Sequence, residues 1–224
     1  MINLLGALQE VMRNPQPAIR PGSADAVTQL TRSVLEYATH SPDDLDHALR
    51  GALIETITGL DRVSIAVTGL AWLGAGVPSV EQEMLALVRC AQREIGLCVY
   101  SITAGAAKLL EAIKEVAVQG VNVTIIVNAL DQQPASVQTF LRSTARDLPG
   151  RWRILDFAPG AGQTDLHAKI LLVDRSIALI GSANLSFHGM VTNHEMAIII
   201  RGPTAEGIAV RFDMLARSAS VRSF

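Results

Sequence analysis

Cysteine is scarce in this sequence. There are two in 224 residues, Cys90 and Cys98. That is too few for a disulfide framework, and neither has the spacing to histidine of a metal site. Both are expected to be buried, reduced thiols of a cytoplasmic protein. Aromatic residues are scarce too, at 4%, which gives no ground for reading a base-stacking platform. The formal net charge is only −2, so the chain as a whole is no polycation. No basic stretch followed by a long apolar core and a cleavage site opens it, and no signal peptide is expected. The longest weakly polar run, Val63 to Val80, is broken by Thr, Ser, several Gly and Pro78. That pattern suits a strand and a glycine-rich loop rather than a membrane span, and no stable membrane insertion is expected. The glycine-rich stretch Pro159 to Asp165 lacks the Lys-Ser/Thr of a nucleotide loop. No convincing metal-ligand cluster stands out, and no cofactor is expected.

What the chain has in plenty is apolar material, 49% hydrophobic against 18% charged, enough for a sizeable core. Its charge is uneven. Residues 1–61 carry 4 Lys/Arg against 8 Asp/Glu, and residues 140–224 carry 10 against 7. An anionic substrate would favour the basic half; a chance excess on a solvated surface gives the same count.

Taken in order, residues 1–61 read as a small helical appendage. Asn14-Pro15-Gln16-Pro17 breaks a first short helix. Ser23 caps a second, and Ser41-Pro42-Asp43-Asp44 starts a third, with Leu45, Leu49, Leu53, Ile57 and Leu60 on one stripe. His40 and His47 fall on or beside helix surfaces and suggest no site. From residue 62 the period changes. Val63 to Thr68 reads as a strand, and Ser79 to Gln82 as a capping box. It opens a helix whose inward positions run Val80, Met84, Val88, Ala91 and Ile95. Strands follow at Leu97–Ile102, Val121–Val127 and Trp152–Phe157. They alternate with a helix that carries Leu109, Ile113 and Val116 and ends at Gly120, and with another over 135–147. A strand near Glu195–Ile200 and a closing helix with Ile208, Phe212 and Leu215 complete the chain. Alternating helices and strands predict an α/β layered sheet over residues 62–224.

The chemistry is concentrated between Leu166 and Glu195. His167 and Lys169 stand two apart beside an apolar run, so a strand would put both on one face. Asp174-Arg175-Ser176 reads as a turn. A second apolar run, Ile177 to Ile180, leads to Ser182 and Asn184, again two apart. A hairpin built this way presents an imidazole, an ammonium, a hydroxyl and an amide toward one point, a set that suits a phosphate. Glu195 precedes an apolar strand, where a carboxylate needs a partner unless it is exposed. His188 and His194 are rival acid/base candidates.

His-x-Lys-x4-Asp-x6-Gly-Ser-x-Asn resembles the HKD signature of the phospholipase D superfamily. The resemblance covers about residues 62–224 and implies a mixed β-sheet flanked by helices. It implies that His167 attacks phosphorus to form a phosphohistidine, while Lys169 and Asn184 neutralise the non-bridging oxygens. Ser182 would position His167 or the phosphate, or merely satisfy backbone. Asp174 belongs to the signature but sits at the turn, where it is expected to hold the hairpin or a neighbouring cation. Glu195 is expected to accept a hydrogen bond from the other nitrogen of His167 and fix its tautomer.

Only one His-x-Lys occurs in the chain, whereas the implied double displacement needs a second histidine as acid and base. A two-fold homodimer would supply it. Short single-motif relatives that the chain resembles are nucleases, so a nucleic acid, DNA or RNA, is the first expected substrate. A phospholipid is the second, because the apolar loop Gly69–Gly76 suits a membrane surface as well as a dimer interface. A non-catalytic scaffold is the third reading. Helices ahead of one HKD domain resemble the layout of the phospholipase-D-like component of DISARM antiphage systems, which implies defence-system protein partners.

Overall fold

The computed structural model describes residues 61–72, 76–158, 164–218 and 221–223. The expected N-terminal helices, with His40 and His47, lie outside the described residues, as does most of the glycine-rich loop before Asp165. From Arg62 onward the chain forms one compact unit.

The capping box appears as read. Ser79 Oγ accepts from the Gln82 N–H at 3.1 Å, and Gln82 Oε1 accepts from the Ser79 N–H at 3.3 Å. The helix it starts, α1, runs Val80–Arg89 and not as far as Ile95. Strand β2 begins earlier than expected, at Glu94, and spans Glu94–Val99. The reason is non-local. The N–H groups of Gln92, Arg93 and Glu94 are taken by the Asp174 carboxylate at 2.9, 2.7 and 3.0 Å, so that segment cannot continue a helix.

The remaining elements follow the apolar periods. Strand β1 is Arg62–Thr68. Helix α2, Ala107–Val118, buries Leu109, Ile113 and Val116. Strand β3, Asn122–Asn128, is covered on both faces, with Ile125, Ile126 and Val127 fully buried. Helix α3 is Ala135–Asp147 and strand β4 Trp152–Phe157. Strands β5, Ile170–Val173, and β6, Ile177–Gly181, form the expected hairpin. Strand β7 is Glu195–Arg201 and helix α4 Pro203–Ala216. A short strand β8, Val221–Ser223, pairs antiparallel with β4; its three residues carry no period to read.

The eight described strands form one mixed sheet in the order β1-β7-β6-β5-β2-β3-β4-β8. Strands β2, β3 and β4 are parallel and the other neighbours antiparallel. Helices α1, α2 and α3 pack on one face. Helix α4 packs on the other through Ala205, Ala209 and Phe212.

The hairpin sits in the middle of this sheet, paired to β2 on one side and β7 on the other. Its turn places Asp174 and Arg175 at φ +51° and +63°, the left-handed conformation that matches strand twist in a tight hairpin. Burial works to raise the Asp174 pKa. The three backbone N–H groups and the Arg93 charge outweigh it, so the carboxyl titrates below its ordinary value. Arg175 ties the same turn to Glu94 at 3.3 Å and to Asp213 of α4 at 2.8 Å.

Asp174→Ala is expected to destabilise the fold by about 2–3 kcal/mol in urea unfolding, from lost charged hydrogen bonds and a strained left-handed residue. Asp174→Asn should cost less, about 1 kcal/mol, because its oxygen still accepts and Asn tolerates this φ. A depressed folded pKa stabilises above the ordinary carboxylate range and loses that effect as pH falls through the folded value. Wild type and Asp174→Asn should therefore converge in stability below about pH 4.

Candidate active site

His167 and Lys169 stand on the extended lead-in just ahead of β5, not within its ladder. The ladder is prolonged by one bond, from the Gly181 N–H to the Lys169 carbonyl at 3.3 Å. Leu166 is buried in the core beneath α4, and its N–H donates to the buried Asn128 Oδ1 at 2.9 Å. With Leu166 fixed inward, alternation turns His167 outward, where it is exposed.

Lys169 folds back toward His167. Its Nζ donates to the His167 carbonyl at 2.9 Å and stands 3.2 Å from each ring nitrogen. The expectation that both side chains share one face holds. Burial pushes the Lys169 pKa down, while the charges of Glu195 and Cys98 act to raise it. The ammonium is thus less solvated than a surface lysine and more available to an incoming anion.

Tyr100, which the sequence reading overlooked, lies against His167 with ring centroids 4.7 Å apart and planes tilted by 59°. Lys169 Nζ is 5.5 Å from the Tyr100 centroid. The tyrosine is placed by Gln133, also overlooked. Gln133 Nε2 donates to the carbonyls of Tyr100 and Asn128 at 3.2 and 2.8 Å, and Oε1 accepts from the Ile102 N–H at 2.9 Å. Gln133 and Asn128, the buried last residue of β3, therefore fix Tyr100 on one side and the approach to His167 on the other. The available signal was position: Tyr100 follows the carboxyl end of a parallel strand, where open α/β sheets place ligands.

Ser182 and Glu195 meet across the β6–β7 pair. Ser182 Oγ donates to Glu195 Oε2 and accepts from the Met196 N–H at 3.4 Å. Asn193 Nδ2 donates to Glu195 Oε1 at 3.3 Å. Gly181, ahead of Ser182, allows this closeness, since a Cβ there would lie 2.9 Å from the Met196 carbonyl oxygen. The expected bond from His167 to Glu195 is not made within the protomer. Strand β6 stands between β5 and β7, so the nearest donor to a carboxylate opening β7 is on β6. Glu195 reaches the site as a charge felt by Lys169.

Asn184 is half-buried, and its Oδ1 is buried with no hydrogen-bond partner. Asp174 is not gathered with the others, because it stands at the opposite end of β5 and serves the turn. His188 Nδ1 pairs with Thr192 Oγ1 at 3.0 Å, and His194 Nε2 accepts from the Ala71 N–H at 3.4 Å. Cys98 is buried as expected, its thiol pushed up to about 12 by burial. Cys90 is exposed, contrary to expectation, because it follows the last turn of α1, where its Sγ contacts the Leu87 carbonyl at 3.1 Å. Among the described residues no group of three or more His, Cys, Asp or Glu is placed to hold a metal ion.

Glu195→Gln removes the charge that supports protonation of Lys169. The Lys169 pKa should fall further, seen as an earlier alkaline transition of its ε-methylene resonance in an NMR titration. Tyr100→Phe should leave the His167 ring environment unchanged, whereas Tyr100→Ala should shift the His167 ring resonances and broaden them.

Residues 84–216 match the sequence model of the family described as "Cardiolipin synthase, PLD-like domain". The DISARM protein DrmC of Bacillus paralicheniformis is 31% identical over 116 residues, 52% of this chain and 47% of that protein. Cardiolipin synthase A of Proteus mirabilis is 27% identical over 159 residues, 66% of this chain and 30% of that protein. The chain thus spans less than half the length of these relatives. Nuc from Salmonella typhimurium, a solved phospholipase D family member, superposes with TM-score 0.57 at 18% identity, over 74% of this chain and 99% of that one. The sheet with its flanking helices is the fold of that structure. The family match extends over more than half of the chain, and the chain belongs to the phospholipase-D-like domain family.

Proposed function

We propose that this protein cleaves nucleic-acid phosphodiesters by double displacement at a site completed by two copies of the chain. The observation that carries this reading is the solitary imidazole. His167 is exposed with an ammonium and a tyrosine ring against it, while the nearby His188 and His194 are engaged elsewhere. A ring nitrogen of one His167 attacks phosphorus, the P–O bond to the leaving nucleoside breaks, and the partner's His167 gives that oxygen its proton. The same partner histidine then takes a proton from water, which attacks phosphorus and breaks the P–N bond. Lys169 and the Asn184 amide offset charge on the non-bridging oxygens. Ser182 holds Glu195; against burial, which lowers the Lys169 pKa, the charge of Glu195 acts to raise it.

Similarity to a DISARM protein supports a role in antiphage defence, with protein partners. Residues 1–61 form a separate N-terminal domain in this proposal, and they would be the docking segment. A second reading, hydrolysis of phospholipids, is favoured by Leu70, 88% exposed beside Trp72 in the loop after β1. Among the described residues no helix is long and apolar enough to cross a membrane.

Purified protein should cut DNA or RNA in the presence of EDTA, and His167→Ala should lower the rate by about 10²–10⁴-fold. An EDTA-sensitive activity, or one that survives His167→Ala, would contradict the proposal. Release of headgroups from vesicles without nucleic-acid cleavage would select the phospholipid reading.

A further inference from the structure

With aromatics at 4% of the chain, their placement is informative. Among the described residues, the exposed Trp and Phe side chains are Trp72, at 40%, and Phe187, at 54%. Both lie on segments that border the candidate active site. Trp72 follows β1 on a loop clamped to His194, the residue before Glu195. The Ala71 N–H donates to His194 Nε2 at 3.4 Å, and the indole meets the imidazole edge-on, centroids 5.6 Å apart at 81°. Gly69, at φ +105°, makes the clamp feasible, because a Cβ there would lie 2.7 Å from the His194 ring. Phe187 lies three residues past Asn184. Its backbone occupies the space that a Cβ on Gly105 would need, and Gly105 closes the loop that starts at Tyr100. The Phe187 ring meets His188 edge-on, centroids 6.0 Å apart at 72°.

One segment, Phe187 to His194, therefore carries an aromatic–imidazole pair at each end, with Asn184 just before it and Glu195 just after it. Each ring packs near-perpendicular to its imidazole and remains solvent-exposed. Both rings are rigid and planar, and they border the groups proposed to receive phosphate.

We infer that Trp72 and Phe187 are stacking stations for unpaired bases on either side of the scissile phosphate, so that the substrate is single-stranded nucleic acid. The inference rests on the phosphodiesterase reading above and names its substrate class. In a duplex, base faces are covered by their neighbours, and only an unpaired base offers a face to a protein ring. A membrane-binding surface would set its apolar side chains among Lys and Arg. The stretches 69–76 and 186–194 contain neither; beside the exposed Leu70 and Val191 stand His, Thr and Asn.

Binding is measured in a His167→Gln background, so that the probe stays intact. Fluorescein-labelled oligothymidylate and oligouridylate, a duplex of mixed sequence and phosphatidylglycerol vesicles are the probes. Trp72→Ala and Phe187→Ala should each raise the single-strand Kd roughly fivefold or more, and Trp72→Phe should restore it. The duplex Kd should change less than about twofold, since no base face is engaged there. Single strands should also quench indole emission above the constant background of buried Trp152. Unchanged single-strand affinity in both alanine variants, or an equal loss on duplex, overturns the inference. Loss of vesicle binding with oligonucleotide binding intact assigns the face to a membrane instead. Turnover of bis(p-nitrophenyl) phosphate by the wild type reports separately on the phosphodiesterase reading, which can fail while the binding data stand.

Discussion

The register of one four-residue strand decides where the reactive groups stand. Strand β5 pairs Ile170 with Ile180 and Val173 with Ile177. That alignment brings the residues ahead of β5 and those after β6 to the same end of the sheet. A slip by one residue would exchange the faces of the whole strand. The register is held at both ends. At the turn, one carboxylate gathers three backbone N–H groups from the segment entering β2. At the open end, the Gly181 N–H closes on the Lys169 carbonyl. The aspartate of the signature thus acts on the chemistry from a distance, by fixing the strand on whose extension His167 and Lys169 stand.

At the open end the site is assembled from groups that neutralise or donate. Lys169 bridges the His167 carbonyl and ring, partly desolvated, with Glu195 supporting its charge. Tyr100 closes one side of the imidazole. This arrangement can receive a phosphate. Among the described residues of one protomer no second free imidazole stands beside it to protonate a leaving oxygen, and for that reason the proposed mechanism places the site between two copies.

Much of this was legible in the sequence wherever the signal was local. The signature residues, the hairpin, the capping box at Ser79 and the spans of α3 and β4 follow from spacing, turn chemistry and apolar period. What escaped depended on contacts distant in sequence. Helix α1 stops at Arg89 because of a carboxylate on the hairpin, which no reading of residues 80–95 alone reveals. The resemblance pairs Glu195 with His167, but the sheet order puts Ser182 nearer. Tyr100 falls inside the run read as a strand, Leu97–Ile102, and only the end of β2 at Val99 frees it; Gln133 lies outside the apolar runs, and both gain their roles only when β2 and β3 lie side by side. Low aromatic content gives no ground for a stacking platform; the exposed rings fall beside the site, and composition carries no information about placement.

The central claim is that two chains pool their imidazoles around one phosphorus atom. Vanadate, which mimics the phosphoryl group in transfer, tests it most directly in a structure of the protein soaked with the ion. The account predicts one vanadium for every two chains, bonded to His167 of one protomer and faced by the partner subunit's His167. One vanadium per chain, bound without a second imidazole, would contradict it.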